Sequence, residues 1–209
     1  MALMARYPDN YFDLAIVDPE YGINAGAKKS YHKNALTQYK PKKWDSKIPD
    51  ESYFKELFRV SKHQIIWGGN YFTEFLPASP KWIVWDKKQP EGIDQAMMEL
   101  AWQSQVKKQS KIYRQSAQSN CNKVANNRRL AQVNKKKHPT QKPAKMYEWL
   151  LHNYAEPGWK ILDTHLGSGK IAHACHKMGF DLTACEIDVD YYNDAIIDLL
   201  EYQTQLTMF

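Results

Sequence analysis

The sequence predicts an α/β fold with a mostly parallel central sheet and helices on both faces. Two observations carry that expectation. Residues 160–188, KILDTHLGSGKIAHACHKMGFDLTACEID, read strand, glycine turn, helix, strand, acid, which is the repeating unit of a parallel sheet. Residues 11–17, YFDLAIV, become continuously apolar before stopping at Asp18-Pro19, as strands buried on both faces do.

The remaining elements follow in chain order. Pro19 lacks a backbone donor and Gly22 permits a turn, so the first strand ends there, with Asp18, Pro19 and Tyr21 at its carboxyl edge. Residues 24–45 are polar and basic, a long loop of the kind that covers a site or contacts phosphates. Residues 50–60 predict a helix capped by Asp50, with Tyr53, Phe54, Leu57 and Phe58 on its inner face. Residues 63–67, 82–85 and 97–102 predict three more strands, with Trp67, Trp82 and Trp85 as core residues. A helix is expected over 144–154 and a last one over 191–200. In the glycine unit, Ile161 and Leu162 stop at Asp163, and Ile171, Ala172, Cys175 and Met178 share one helix face that ends at a capping Gly179.

Composition bounds the rest. The chain has 209 residues, 43% of them hydrophobic, which suits a single domain over 1–209 with a sizeable core. No run of 18 apolar residues predicts a membrane span, and MALMARYPDN has no apolar signal core. Cys121, Cys175 and Cys185 show no paired spacing, so reduced thiols in a cytoplasm are expected. No metal is expected, because His173 and His176 lie on one helix without a second ligand pair.

Charge is unevenly spread. The net charge is +6 with a pI near 9.0. Residues 103–137 hold ten Lys or Arg and no Asp or Glu, so the rest of the chain is net acidic. This stretch reads as a basic insertion, either a polyanion-binding segment or a solvated loop.

The glycine unit carries the first chemical signal. Glycines let backbone approach a ligand at a helix N-terminus, and an acid ending the next strand accepts hydrogen bonds from ribose hydroxyls. A nucleoside-type cofactor and a purely structural tight turn both fit. A phosphate loop does not, because Ile171 stands where Ser or Thr is needed and Thr164 where the first Gly is needed.

Several motifs together resemble one family. DPEY at 18–21 resembles the DPPY tetrad of amino-methyltransferases that act on DNA adenine. HPTQKP at 138–143, DTHLGSG at 163–169, and EID at 186–188 followed by Tyr191-Tyr192 resemble its cofactor motifs. IIWGGNYF at 65–72 and WIVWDK at 82–87 are similar to further segments of it. The tetrad precedes the cofactor motif, the order of the permuted beta group. The resemblance implies a Rossmann-like S-adenosylmethionine-dependent methyltransferase fold and methylation of adenine N6 in DNA. Cytosine N4, RNA, and a catalytically weak nucleic-acid-binding protein are the alternatives.

The resemblance implies roles for particular residues. Asp18 and the Pro19 carbonyl accept hydrogen bonds from the target amine, and Tyr21 stacks on a flipped base. Asp163, Gly167, Ser168 and Gly169 hold the methionine end of S-adenosylmethionine, Glu186 holds its ribose, and Thr140 and Lys142 are further contacts. Lys107, Lys108, Lys111, Arg114, Arg128 and Arg129, within 103–137, are the candidate DNA contacts and this segment the candidate target reader. The partner is DNA, with a homodimer and a restriction endonuclease as further candidates. Three features depart from the family. Glu20 replaces the second Pro of the tetrad, and Thr164 and His165 replace Pro and Phe in the cofactor loop. Only ten residues precede Tyr11, so the strand expected beside the cofactor unit has no counterpart. An open sheet edge and weak cofactor binding are expected from that.

Overall fold

The structure, a computed structural model, describes residues 2–25, 44–92, 96–105, 107–116 and 141–206. Thr140, Arg128, Arg129 and the HPT half of the 138–143 motif lie outside these.

Seven strands form one sheet in the order β5-β3-β4-β2-β1-β6-β7. They are β1 (Phe12–Val17), β2 (Ser61–Trp67), β3 (Trp82–Asp86), β4 (Met98–Gln103), β5 (Lys111–Arg114), β6 (Lys160–Asp163) and β7 (Asp181–Ala184). β4 pairs antiparallel with β2 and β3, and every other pairing is parallel. The helices are α1 (Glu51–Val60), α2 (Ala144–Tyr154), α3 (Lys170–Met178) and α4 (Val189–Leu206).

The pleat sorts the core into two layers. Leu14, Ile16, Ile65 and Trp67 face α2 and α3, packing with Met146, Leu150, Ile171 and Cys175. Ala15, Val17 and Ile66 face the other way onto Phe54, Leu57 and Val60 of α1. The fold is thus the expected Rossmann-like α/β arrangement, with helices on both faces.

Local signals worked where side chains cap or turn the chain. Asp50 accepts the Tyr53 N–H at 3.2 Å and starts α1. Gly179 takes the left-handed conformation that closes α3.

Two expectations need correction. Residues 103–137 do not begin as an insertion: Gln103 ends β4 fully buried, and Lys111–Arg114 form a parallel edge strand on β3. The last helix is also longer than 191–200, running Val189–Leu206. β7 closes the sheet at the cofactor side, and residues 2–11 contribute only a turn at Met4–Arg6. Among the described residues no helix is long and apolar enough to cross a membrane.

Candidate active site

β1 and β6 are parallel neighbours, pairing Leu14 with Ile161 and Ala15 with Leu162. The loops leaving their carboxyl ends therefore open side by side, the edge where ligands bind in open α/β sheets. One loop carries Asp18, Pro19, Glu20 and Tyr21; the other runs from Asp163 to Gly169.

Asp18 is held from two sides. The Tyr21 hydroxyl donates to its Oδ1 at 2.6 Å, and the Lys142 ammonium donates to its Oδ2. Lys142 stands two residues before α2 and is only 3% exposed. Its ammonium also lies 3.1 Å from Glu99 Oε2 on β4 and 5.2 Å from the centre of the Trp67 ring. Lys87 meets the other oxygen of Glu99 at 2.5 Å. Burial alone drives a lysine towards neutrality, but the charges of Asp18 and Glu99 outweigh it and raise the Lys142 pKa. Burial pushes Glu99 up, and Lys142 and Lys87 more than reverse this. Lys142, expected beside the cofactor, thus has the tetrad acid as its partner. Glu99 and Lys87 escaped sequence reasoning, because an acid in MELAWQ reads as solvent-facing until a buried lysine 43 positions away arrives beside it.

Tyr21 is also tightly placed. It stacks on Tyr71, with ring centres 4.9 Å apart and planes 12° apart. Gly68, at φ +69°, lies against the ring, where a Cβ would come within 2.1 Å of it. No other residue fits there. Tyr21 is therefore packed by Tyr71, which the sequence did not single out, and by the backbone of Gly68. Burial, then the charges of Asp18 and Glu99, push its hydroxyl well above the ordinary range and keep it a donor. Buried Asp45 accepts the N–H groups of Gly22 and Ala25, both at 2.8 Å, and fixes the chain just after the tetrad.

The second loop gathers the predicted cofactor residues. Gly167 and Gly169 have φ of +52° and +71°, and Gly169 caps α3. Glu186, just beyond β7, accepts the Gly167 N–H at 2.7 Å and the Asp188 N–H at 2.9 Å. Its acid therefore braces the glycine turn while retaining lone pairs for a ligand hydroxyl. Asp163 is 2% exposed and accepts the His165 N–H at 2.9 Å. Burial pushes its carboxyl up to about 7; the His165 N–H and ring oppose this, while Asp18 and Glu186 add to it. A buried carboxyl with no ion pair among the described residues, beside a glycine turn, suits a cationic ligand. The sulfonium and ammonium of S-adenosylmethionine fit that donor set. Ser168 lies within the same turn, half-buried.

The candidate DNA contacts separate. Arg114 ends β5 at the same sheet edge as the tetrad and lies 3.5 Å from Asp86. Lys111 starts β5 at the opposite edge, bonded to Asn153, and Lys107 and Lys108 precede it there. Arg114 and Lys142, on either side of residues 117–140, both stand at the tetrad's edge.

Residues 30–197 match a family model described as DNA methylase. No curated protein matches the sequence. Among solved structures, the M1.HpyAVI complex with S-adenosylmethionine aligns at TM-score 0.55 and 17% identity, covering 90% of this chain and 89% of that one. A Thermus thermophilus protein assigned as a DNA modification methylase, complexed with S-adenosyl-L-methionine, aligns at 0.57 and 14%, covering 96% and 90%. PvuII DNA methyltransferase, cytosine-N4-specific, aligns at 0.59 and 14%, covering 94% and 82%.

Proposed function

We propose, because this chain belongs to the DNA methylase family of N6 and N4 amino-methyltransferases, that it methylates the N6 amine of adenine in DNA. The family uses S-adenosylmethionine, which when bound supplies an electrophilic methyl group. The observation that carries the reading is Asp18, gripped by Tyr21 and Lys142 beside the glycine turn of Gly167 and Gly169.

This chain's residues have definable work in that reaction. An exocyclic aromatic amine is a poor nucleophile because its lone pair is delocalised into the ring. Accepting its protons in hydrogen bonds favours a pyramidal nitrogen with the lone pair free. Asp18 supplies one acceptor and the Pro19 carbonyl the second. Lys142 and Tyr21 fix the direction of the Asp18 carboxylate, so that little reorganisation is left for the transition state. Tyr21 is the ring at hand to stack on the flipped base. Asp163 meets the cationic end of the cofactor and Glu186 its ribose. Residues 117–137, entered from Arg114 and left at Lys142, supply charge for the DNA backbone. An Asp rather than a Ser before the Pro of the tetrad favours adenine over cytosine, by family resemblance.

The test is product analysis. Random-sequence DNA incubated with the protein and labelled S-adenosylmethionine is expected to yield N6-methyladenine on nucleoside mass analysis. Asp18→Ala should lower turnover by roughly two to four orders of magnitude, the range for losing positioned proton acceptors. DNA affinity should stay near the native value. N4-methylcytosine as the sole product would replace adenine by cytosine, and undiminished turnover in Asp18→Ala would remove Asp18 from the site.

A further inference from the structure

Two of the three departures from the family pattern touch one another. Glu20, in the tetrad, lies with Oε2 3.3 Å from Nε2 of His165, in the loop after β6. The His165 Nδ1 lies 3.0 Å from the Thr164 hydroxyl, which lies 2.8 Å from the hydroxyl of buried Tyr53 on α1. The Tyr53 ring also meets the His165 ring edge-on, centres 5.3 Å apart. Three segments far apart in sequence are thus joined by one chain of polar contacts between the tetrad and the glycine turn.

We propose that Glu20 and His165 are a pair of positioning residues, a strap that sets the tetrad's place against the cofactor loop. The proposal rests on the methyltransferase reading above and names residues of that same site. With the imidazole neutral and its proton on Nε2, one direction of donation is consistent: Tyr53 O–H to Thr164, Thr164 O–H to His165 Nδ1, and His165 Nε2–H to the Glu20 carboxylate. Every group in it is then satisfied with a neutral imidazole. Both ends of the strap are anchored. His165 is held at its backbone by Asp163, and Glu20 sits between Pro19 and Tyr21, whose hydroxyl grips Asp18. Burial pushes the Glu20 carboxyl up, but its contact with His165, the hydrogen bond foremost, holds it below its ordinary value. Both side chains keep about a fifth to a quarter of their surface exposed, so the pair's value is the geometry it imposes rather than bulk stability. In-line methyl transfer is sensitive to such geometry, since a displacement of about 1 Å can cost on the order of 100-fold.

The experiment is a double-mutant cycle on the full chain with Glu20→Gln and His165→Asn, plus His165→Gln, which keeps an N–H within reach of Glu20. Each of the first two variants is expected to slow single-turnover methyl transfer by about tenfold, with KM for S-adenosylmethionine moving less than about threefold. The double variant should be no slower than the slower single, and His165→Gln should recover part of the rate. Losses that multiply, or a Glu20→Gln rate equal to the native one, would overturn the strap. Nitrogen NMR of the His165 ring at about pH 8, above the ordinary imidazole range, gives a readout independent of activity. The native ring should be a single tautomer with its proton on Nε2, and Glu20→Gln should mix the two tautomers. Should the native protein methylate no DNA, the methyltransferase reading fails by itself. The ring spectrum then decides the pair, an unchanged tautomer in Glu20→Gln sinking it.

Discussion

Asp163 shows how a single buried group links folding, cofactor and pH. Its ordinary value is 3.8 and burial pushes it to about 7, so the folded protein binds a proton there more tightly than the unfolded chain does. The associated stability is fully present below about pH 4 and is lost as pH rises towards 7. Asp163→Asn should flatten that part of a melting-temperature profile, and an unaltered slope between pH 4 and 7 would deny the buried proton. On the methyltransferase reading, cationic cofactor favours the ionised carboxylate, so binding below pH 7 must expel the proton. Calorimetry in buffers of different ionisation enthalpy should detect proton release near pH 6 in the native protein and little in Asp163→Asn. Equal proton release in both would place the cofactor's charge elsewhere.

Elements were legible in proportion to how local their determinants are. α1 and α2 follow from an Asp cap, a preceding Pro and apolar spacing, and the glycine unit from its turn residues. β5 was not legible, because the edge strand KIYR has a basic residue at each end, exposes Ile112, and takes its order from β3 across the sheet. The ion pairs of Lys142 were not legible either, since a buried lysine is rare and its partners Asp18 and Glu99 are 124 and 43 positions away. The seating of α4 on α3 is similarly non-local. Asp198 of α4 accepts from Lys170 and lies 2.8 Å from His173 Nε2, both on α3, while Tyr202 stacks on His173 at 4.4 Å. Burial raises the Asp198 carboxyl, and His173 and Lys170 more than reverse that, holding it far below its ordinary value. α4 also brings Ala195 against Gly169, where a Cβ would stand 2.8 Å from the alanine's own. Asp198→Ala should therefore cost about 1–3 kcal/mol in urea unfolding, with faster hydrogen exchange along α4. Native-like stability would mean that Ala195 and the apolar contacts seat the helix without the acid.

At the scale of the whole molecule, the question is where DNA lies on a sheet whose chemistry is confined to one edge. The basic stretch crosses that sheet. Lys107, Lys108 and Lys111 belong to the edge opposite the tetrad, whereas Arg114 belongs to the tetrad's own. Residues 117–137 add six Lys or Arg, and the chain returns from them to Lys142 beside Asp18. A duplex presenting a flipped base to Tyr21 must lie along this edge, so the charges that meet its phosphates should be Arg114 and those six. If about five of them do, log affinity should fall with log salt at a slope of roughly −4 to −5. Arg128→Ala with Arg129→Ala should reduce the slope by about two and weaken binding to all sequences alike, leaving cofactor affinity untouched. Lys107→Ala with Lys108→Ala should leave the slope nearly unchanged, because those residues sit at the far edge. The measurement is fluorescence anisotropy of a labelled duplex over a salt series. Equal losses in both double variants would mean that DNA wraps both edges of the sheet, and a flat slope in the native protein would remove the segment from DNA binding.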